Sequence, residues 1–402
     1  MKRPLLIIIG IVLVLVLVAV WVYILFFKAP ATDDGAFADL NFGDTTDTSY
    51  VPTDSNTTEE QPVVNVVGTE RLRQLTTRPV VGYQDITKTA SSTPLVYYVE
   101  SGTGHIFSIN LKSGEEKRIS GTTIPSARKA AITSSGQFVM LQSGSGNNAE
   151  FVVGRFSSTS ESIDIKLLGE TIVDFTDTSD NTFLYAVKTI DSVVAKEYNP
   201  VKDTTKTLFT VPFREAAIAW GKNANDTHYV YTKASNQLEG YLYQVTKGVL
   251  NRLPIEGYGL SAAGNTDGVL YSEQDGEDGY KTFAYTPTDN EIISLPLTVI
   301  PEKCTPLHKD QYSLICGGLF FAYESTMPDS WYKGVESFSD DLWRVSTVSG
   351  SAEHLISVTT ESARNIDMIN LQTSSDDARA YFIDSHNNTL WLFELLAEDT
   401  NL

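Results

Sequence analysis

The stretch Pro94-Leu95-Val96-Tyr97-Tyr98-Val99, followed by Gly104-His105-Ile106-Phe107-Ser108-Ile109-Asn110-Leu111 and then Ser113-Gly114-Glu115, decides the fold. Two short runs rich in Val, Ile, Tyr and Phe are separated by small polar residues. Such runs, bounded by Gly, Ser and Asn, read as antiparallel strands joined by turns. No amphipathic helix of useful length interrupts the pattern beyond residue 66.

The pattern recurs. Runs matching residues 94–99 lie at 137–141, 182–187, 228–231, 268–271, 312–316 and 379–383. Turns precede several of them: Ser134-Ser135-Gly136, Ser179-Asp180-Asn181, Asn225-Asp226 and Ser375-Asp376-Asp377. Runs matching 105–109 lie at 241–245, 342–345 and 390–393. Seven units fit, with first strands expected near residues 79, 127, 171, 215, 257, 303 and 365. A repeat of about 40–50 residues with four strands per unit means the blades of a propeller. The seventh unit lacks a fourth strand. A spare strand, Arg71-Leu72-Arg73-Gln74-Leu75, precedes the first unit and can complete it. The expected fold class is therefore all-β: a seven-bladed β-propeller over residues 67–402, its N-terminal strand closing the last blade.

The turns resemble the Ser-Pro-Asp-Gly turn of the TolB-like propeller repeats, the WD40-like class called PD40. Residues 104–111 with 113–115 are similar to that family's G-x-I-Y-x-x-D-L-x-T-G segment. Prolines are missing from the turns and few Asp-Gly pairs survive. Pro301-Glu302-Lys303-Cys304, Trp331-Tyr332-Lys333-Gly334 and Ser339-Asp340-Asp341-Leu342-Trp343 resemble segments of bacterial envelope propellers that carry one N-terminal anchor. That resemblance implies fold and location, and no activity.

Residues 5–27 are uncharged and mostly apolar. As a helix they span about 34 Å, enough to cross a bilayer. Lys2 and Arg3 precede them, and between Lys28 and Arg71 there is no basic residue. The positive-inside rule places the N-terminus in the cytoplasm and the rest outside. A cleaved signal peptide ending near Ala29-Pro30-Ala31 is the alternative, but the run exceeds the usual signal core of about 7–15 residues. Residues 1–28 are thus expected to be a cytoplasmic tip and transmembrane anchor. Residues 29–66 are acidic and Thr/Ser-rich, with too little apolar area to offset ordering. They are expected to be a disordered stalk with a span of about 35 Å.

The 402 residues carry a formal net charge of −20. That excludes a basic footprint for nucleic acid. Two cysteines and five histidines are too few for a zinc-ribbon pattern; no metal and no cofactor are expected. Outside the cytoplasm Cys304 and Cys316, on adjacent expected strands, should form a disulfide. G-x-S-x-G, Walker and H-E-x-x-H motifs are absent. The long sixth interval holds an insertion at residues 320–338. Irregular insertions on rigid scaffolds often carry function, and Trp and Tyr dominate binding hot spots. Candidate binding residues are Asp329, Trp331, Tyr332, Lys333, Asp340 and Asp341. The same rings could instead fold back to plug the channel mouth, and the two aspartates before the Trp343 strand could serve their own turn. The expected function is a non-catalytic scaffold for an envelope or surface protein or glycan. The alternative is a glycan hydrolase or lyase whose carboxylates converge at the channel.

Overall fold

A computed structural model describes residue 69 and residues 71–395, apart from 88–92, 158–159, 266, 277–278 and 320–325. The expected anchor and stalk lie outside the described residues. Among the described residues no helix is long and apolar enough to cross a membrane.

Every described sheet is four-stranded and antiparallel, and there are seven. In six of them the four strands follow one another in the chain. First strands of neighbouring sheets face one another around the axis, so the chain leaves the axis within each blade and returns to start the next. The inner strands begin at Val80, Ala127, Ile172, Ala216, Ser261, Thr298 and Met368. Four starts agree with the sequence reading to within a residue, and three move. Gly257 belongs to the outer strand of blade four, Val249–Tyr258, so blade five starts later. Val358–Ser362 forms a short helix and Ile366 is buried, which delays blade seven. Blade six starts at Thr298 rather than near 303, because its inner strand (Thr298–Pro306) is bulged.

Seven hydrophobic clusters each straddle two adjacent blades. A blade is therefore covered on both faces, which makes its middle strands continuous apolar runs rather than alternating ones. The second strand of blade seven, Arg379–Asp384, is buried at five of six positions. The outer strand Glu116–Ser120 of blade one faces water and is mostly polar.

The degenerate turns keep their geometry. Gly136, Asn181 and Asp377 occupy the same place in three blades, all with φ between 56° and 66°. That left-handed conformation suits Gly and is tolerated by Asn and Asp. Each of the three donates its N–H to the backbone carbonyl three positions back, at Thr133, Thr178 and Ser374.

Blade seven closes as expected. Its sheet runs from Met368–Thr373 at the axis through Arg379–Asp384 and Leu390–Glu394 to Leu72–Gln74 at the rim. Leu72 pairs with Phe393, Arg73 with Leu392 and Gln74 with Trp391. Leu72, Trp391 and Phe393 are fully buried in one cluster between blades six and seven. In blade six Cys304 and Cys316 are disulfide-bonded across the first two strands.

Truncating the closing strand's one fully buried anchor should loosen the whole ring. Leu72→Ala is expected to cost about 3 kcal/mol, the usual loss for a buried leucine. Its urea midpoint should fall in proportion, and a midpoint unchanged from the parent would count against closure through this strand.

Candidate functional site at the blade-six insertion

The local chemistry starts with Pro301. Proline cannot donate to a sheet ladder, so within a strand it marks an edge or a bulge. Val299 pairs with Gly318, and the next pair is Cys304 with Cys316. Four residues, Ile300, Pro301, Glu302 and Lys303, therefore oppose Gly317 alone. A side chain at Gly317 would crowd Met368, its Cβ falling 3.0 Å from the Met368 Cβ. The inner strand of blade seven packs that closely against the bulge. The bulge sends Glu302 and Lys303 to different surroundings.

Lys303 has no solvent exposure. Its Nζ donates to Asp340 Oδ2 at 2.7 Å and also to Asp367 Oδ1. The rings of Trp331 and Phe338 lie 5.3 and 4.8 Å from that nitrogen. Asp367 also accepts the Trp331 indole N–H at 3.1 Å and the Ser385 hydroxyl at 2.9 Å. Asp340 Oδ2 accepts the Met368 N–H at 2.8 Å, and Asp340 Oδ1 is buried without a hydrogen-bond partner. Burial pushes the Asp340 carboxyl upward, opposed by the charge of Lys303.

Glu302 meets two tyrosines. Tyr231, from the second strand of blade four (His228–Thr232), donates to Glu302 Oε1 at 3.0 Å. It reaches past blade five, whose inner strand Ser261–Gly264 is made only of Ser, Ala and Gly. Tyr332 donates to the same oxygen. Burial of these hydroxyls, and then the Glu302 charge, raise both tyrosines well above their ordinary pKa.

The described part of the insertion, 326–338, is a folded cap. It carries a short helix, Asp329–Tyr332. Met327 is fully buried with Tyr280 and Ile300. Asp329 accepts the Asn236 N–H of blade four at 2.5 Å and lies 3.7 Å from Lys333. Gln274 of blade five donates to the Met327 carbonyl at 2.8 Å. The Ser337 hydroxyl meets His386 Nε2 of blade seven at 3.2 Å. The cap thus touches blades four, five and seven as well as its own. Beside it lies a cavity of about 530 Å³ lined by Trp331, Tyr332, Glu336, Ser337, Ser385 and His386, among others.

The six candidate residues separate. Trp331 and Tyr332 line the cavity while their polar ends reach inward to Asp367 and Glu302. Lys333 projects to solvent. Asp329 anchors the cap. Asp340 has no exposure, so it cannot touch a partner. Asp341 is committed to His354 Nε2 at 2.9 Å and the Val358 N–H at 3.1 Å. The partners of Asp340 are Lys303 and the Met368 N–H of the next blade, and those of Asp341 are on its own blade's outer strand and the segment after it, so these bonds are not the own-turn contacts expected from the sequence. Two carboxylates do converge near the mouth, Asp340 and Asp367, but both are held by Lys303 and shielded from solvent. Among the described residues no cluster of three metal-ligating side chains occurs. Sequence reasoning missed Glu302, Lys303 and Asp367 as a group. The signal was present: a Pro-Glu-Lys triplet where an inner strand should be apolar.

The opposite face is knit together differently. Asn181 Oδ1 accepts the Ser135 N–H at 2.7 Å, from the first-to-second-strand turn of the preceding blade. Asp377, at the equivalent place, accepts the His308 and Lys309 N–H groups at 2.8 and 2.7 Å. Lys222 of blade four reaches the Leu307 carbonyl of blade six at 2.7 Å. These turns bond to one another and leave the cap side as the more varied face.

No protein-family model matches the chain. No curated protein is similar to it in sequence. Among solved structures, virginiamycin B lyase from Staphylococcus aureus is similar over 81% of this chain and 99% of its own, with a TM-score of 0.50 and 13% identity. YCF48 bound to D1 peptide is similar over 82% and 99%, with a TM-score of 0.52 and 7% identity. The propeller domain of the trilobed protease from Pyrococcus furiosus covers 81% and 99%, at a TM-score of 0.49 and 12% identity. At these identities the likeness is one of fold: the chain is a seven-bladed β-propeller.

Asp377 gives a pH test of the turn network. Burial opposes its ionisation, but the His308 ring and the His308 and Lys309 N–H groups win and hold its pKa down to about 2. A depressed carboxylate contributes stability above its unfolded value of about 3.9, and that contribution is lost as pH falls towards 2. Asp377→Ala should therefore destabilise by about 1 kcal/mol at pH 7, allowing for solvent screening. The gap between mutant and parent melting curves should narrow steadily below pH 4. A gap independent of pH would show that the charge is not what matters.

Proposed function

We propose that the chain is a membrane-anchored, extracytoplasmic propeller of the TolB-like kind that works by binding an envelope or surface protein or glycan on its cap side. Residues 5–27 would hold it in the membrane and residues 29–66 would set the ring away from the surface. The uncharged run behind Lys2 and Arg3 supports that placement, as does the Cys304–Cys316 disulfide, since such bonds persist in oxidising compartments. The observation that carries the binding reading is the cavity beside the cap. It offers the indole of Trp331 and the half-exposed ring of Tyr332 next to Ser337, Ser385 and His386. Apolar rings beside a few fixed polar groups are the usual make-up of a recognition site. The converging carboxylates give the hydrolytic alternative no support, because both are buried and bonded to Lys303.

Val335 on the cap and Val348 in the third-to-fourth-strand turn belong to the same blade but opposite faces, and both are exposed. A photo-crosslinking residue at 335, in cells, should give a discrete adduct, and one at 348 should not. Trp331→Ala should reduce the adduct at 335 by about tenfold, the effect of losing a modest hot spot. Adducts from 348 alone would place recognition on the other face.

A further inference from the structure

Lys303, Asp340 and Asp367 form a buried set behind the cap, with Asp367 at the wall of the cavity. The ammonium and both carboxylates are buried, and indole and phenyl rings wall them in. Two ionised aspartates around one lysine would leave a net negative charge in a buried site, which is costly. One carboxyl must hold a proton. Asp367 accepts bonds from Lys303, Trp331 and Ser385, so its oxygens are the better supplied with donors. Asp340 leaves Oδ1 buried with no partner, which is where a proton belongs. A neutral carboxylic acid thus sits 2.7 Å from a lysine amine, with a carboxylate beside them to take protons. Amine, acid and base are held together in one buried cluster. Such confinement replaces a rare bimolecular encounter by an intramolecular one, equivalent to a very high local concentration.

We propose that Lys303 and Asp340 join in an intramolecular amide, with Asp367 as the catalytic residue. The Lys303 ammonium passes a proton to Asp367, and the freed amine attacks the Asp340 carboxyl carbon. The C–N bond forms as the C–OH bond breaks. The departing hydroxyl takes the proton from Asp367 and leaves as water, and the second amine proton returns to Asp367. Ammonium, acid and carboxylate become amide, water and acid. Atoms and charge balance, nothing is oxidised or reduced, and the buried ion pair disappears. The product staples the inner-strand bulge of blade six to the segment behind the cap. It would stand one residue from the disulfide at Cys304, giving the cap's base two covalent closures.

The test is the mass of the full-length chain, purified in detergent and reduced. The parent should weigh about 18 Da less than its sequence requires, the loss of one water. Proteolysis should yield a branched peptide joining residues 303 and 340. Asp340→Asn should reach the same final mass as the parent, because an amide side chain loses ammonia where the acid loses water. Asp367→Ala should keep its full mass. A parent at full mass without a branched peptide overturns the proposal, whatever the variants do. A branch from Lys303 to Asp367 overturns the division of roles, and so does crosslinking in Asp367→Ala.

Discussion

The ring depends on three backbone pairs, Leu72 with Phe393, Arg73 with Leu392 and Gln74 with Trp391. They bring together residues at opposite ends of the propeller. Closing so long a loop has an entropic cost, but that cost grows only with the logarithm of length. The closure supplies the last blade's rim strand and covers the edge of Leu390–Glu394, which would otherwise be open to pairing with another chain. It also completes the cluster between blades six and seven, where Leu72, Trp391 and Phe393 meet Ile315, Leu342 and Met368. The blade that carries the cap is thus buttressed by the closing strand. Rigidity at the cap and closure of the ring are one packing problem.

Within that symmetric frame, blade six is where the symmetry breaks. An inner strand normally gives its side chains to the two neighbouring interfaces. The bulge at 300–303 spends four residues against one partner, and so can offer a carboxylate to Tyr231 and Tyr332 and an ammonium to Asp340 and Asp367. Bulges commonly re-aim side chains in this way. The small residues of blade five's inner strand are the complementary feature, since they let a tyrosine from blade four cross to blade six. The cap then rests on both arrangements, through Tyr332 on one and Trp331 on the other.

The architecture was legible in the sequence because its signals are local and repeated. Apolar runs mark middle strands, and small polar triplets mark turns. The spare segment at Arg71 marks the missing rim strand. Even the decayed turns read correctly, because Asn181 and Asp377 can hold the left-handed conformation that Gly136 holds. The site was legible only in pieces. Pro301-Glu302-Lys303, Trp331-Tyr332 and Asp340-Asp341 each stood out, yet nothing local says that Lys303 meets Asp340 or that Asp367, in a different blade, completes the set. Asp340 and Asp341 look interchangeable in sequence. Strand alternation sends one inward to an ammonium and leaves the other at the rim with His354.

The two faces answer different physical demands. On the turn side, one recurring device links blade to blade: a side-chain oxygen at the left-handed turn position accepts N–H groups from the neighbouring turn, as Asn181 and Asp377 do. A surface committed to such bonds has few polar groups left for a ligand. On the cap side one inserted segment bonds to three other blades and leaves a hollow beside itself rather than a sealed rim. A seven-fold repeat can vary one loop without disturbing the others, since each blade is held by its neighbours' faces. Recognition on such a scaffold concentrates where the repeat departs from itself, and here the bulge, the insertion and the disulfide all fall in blade six.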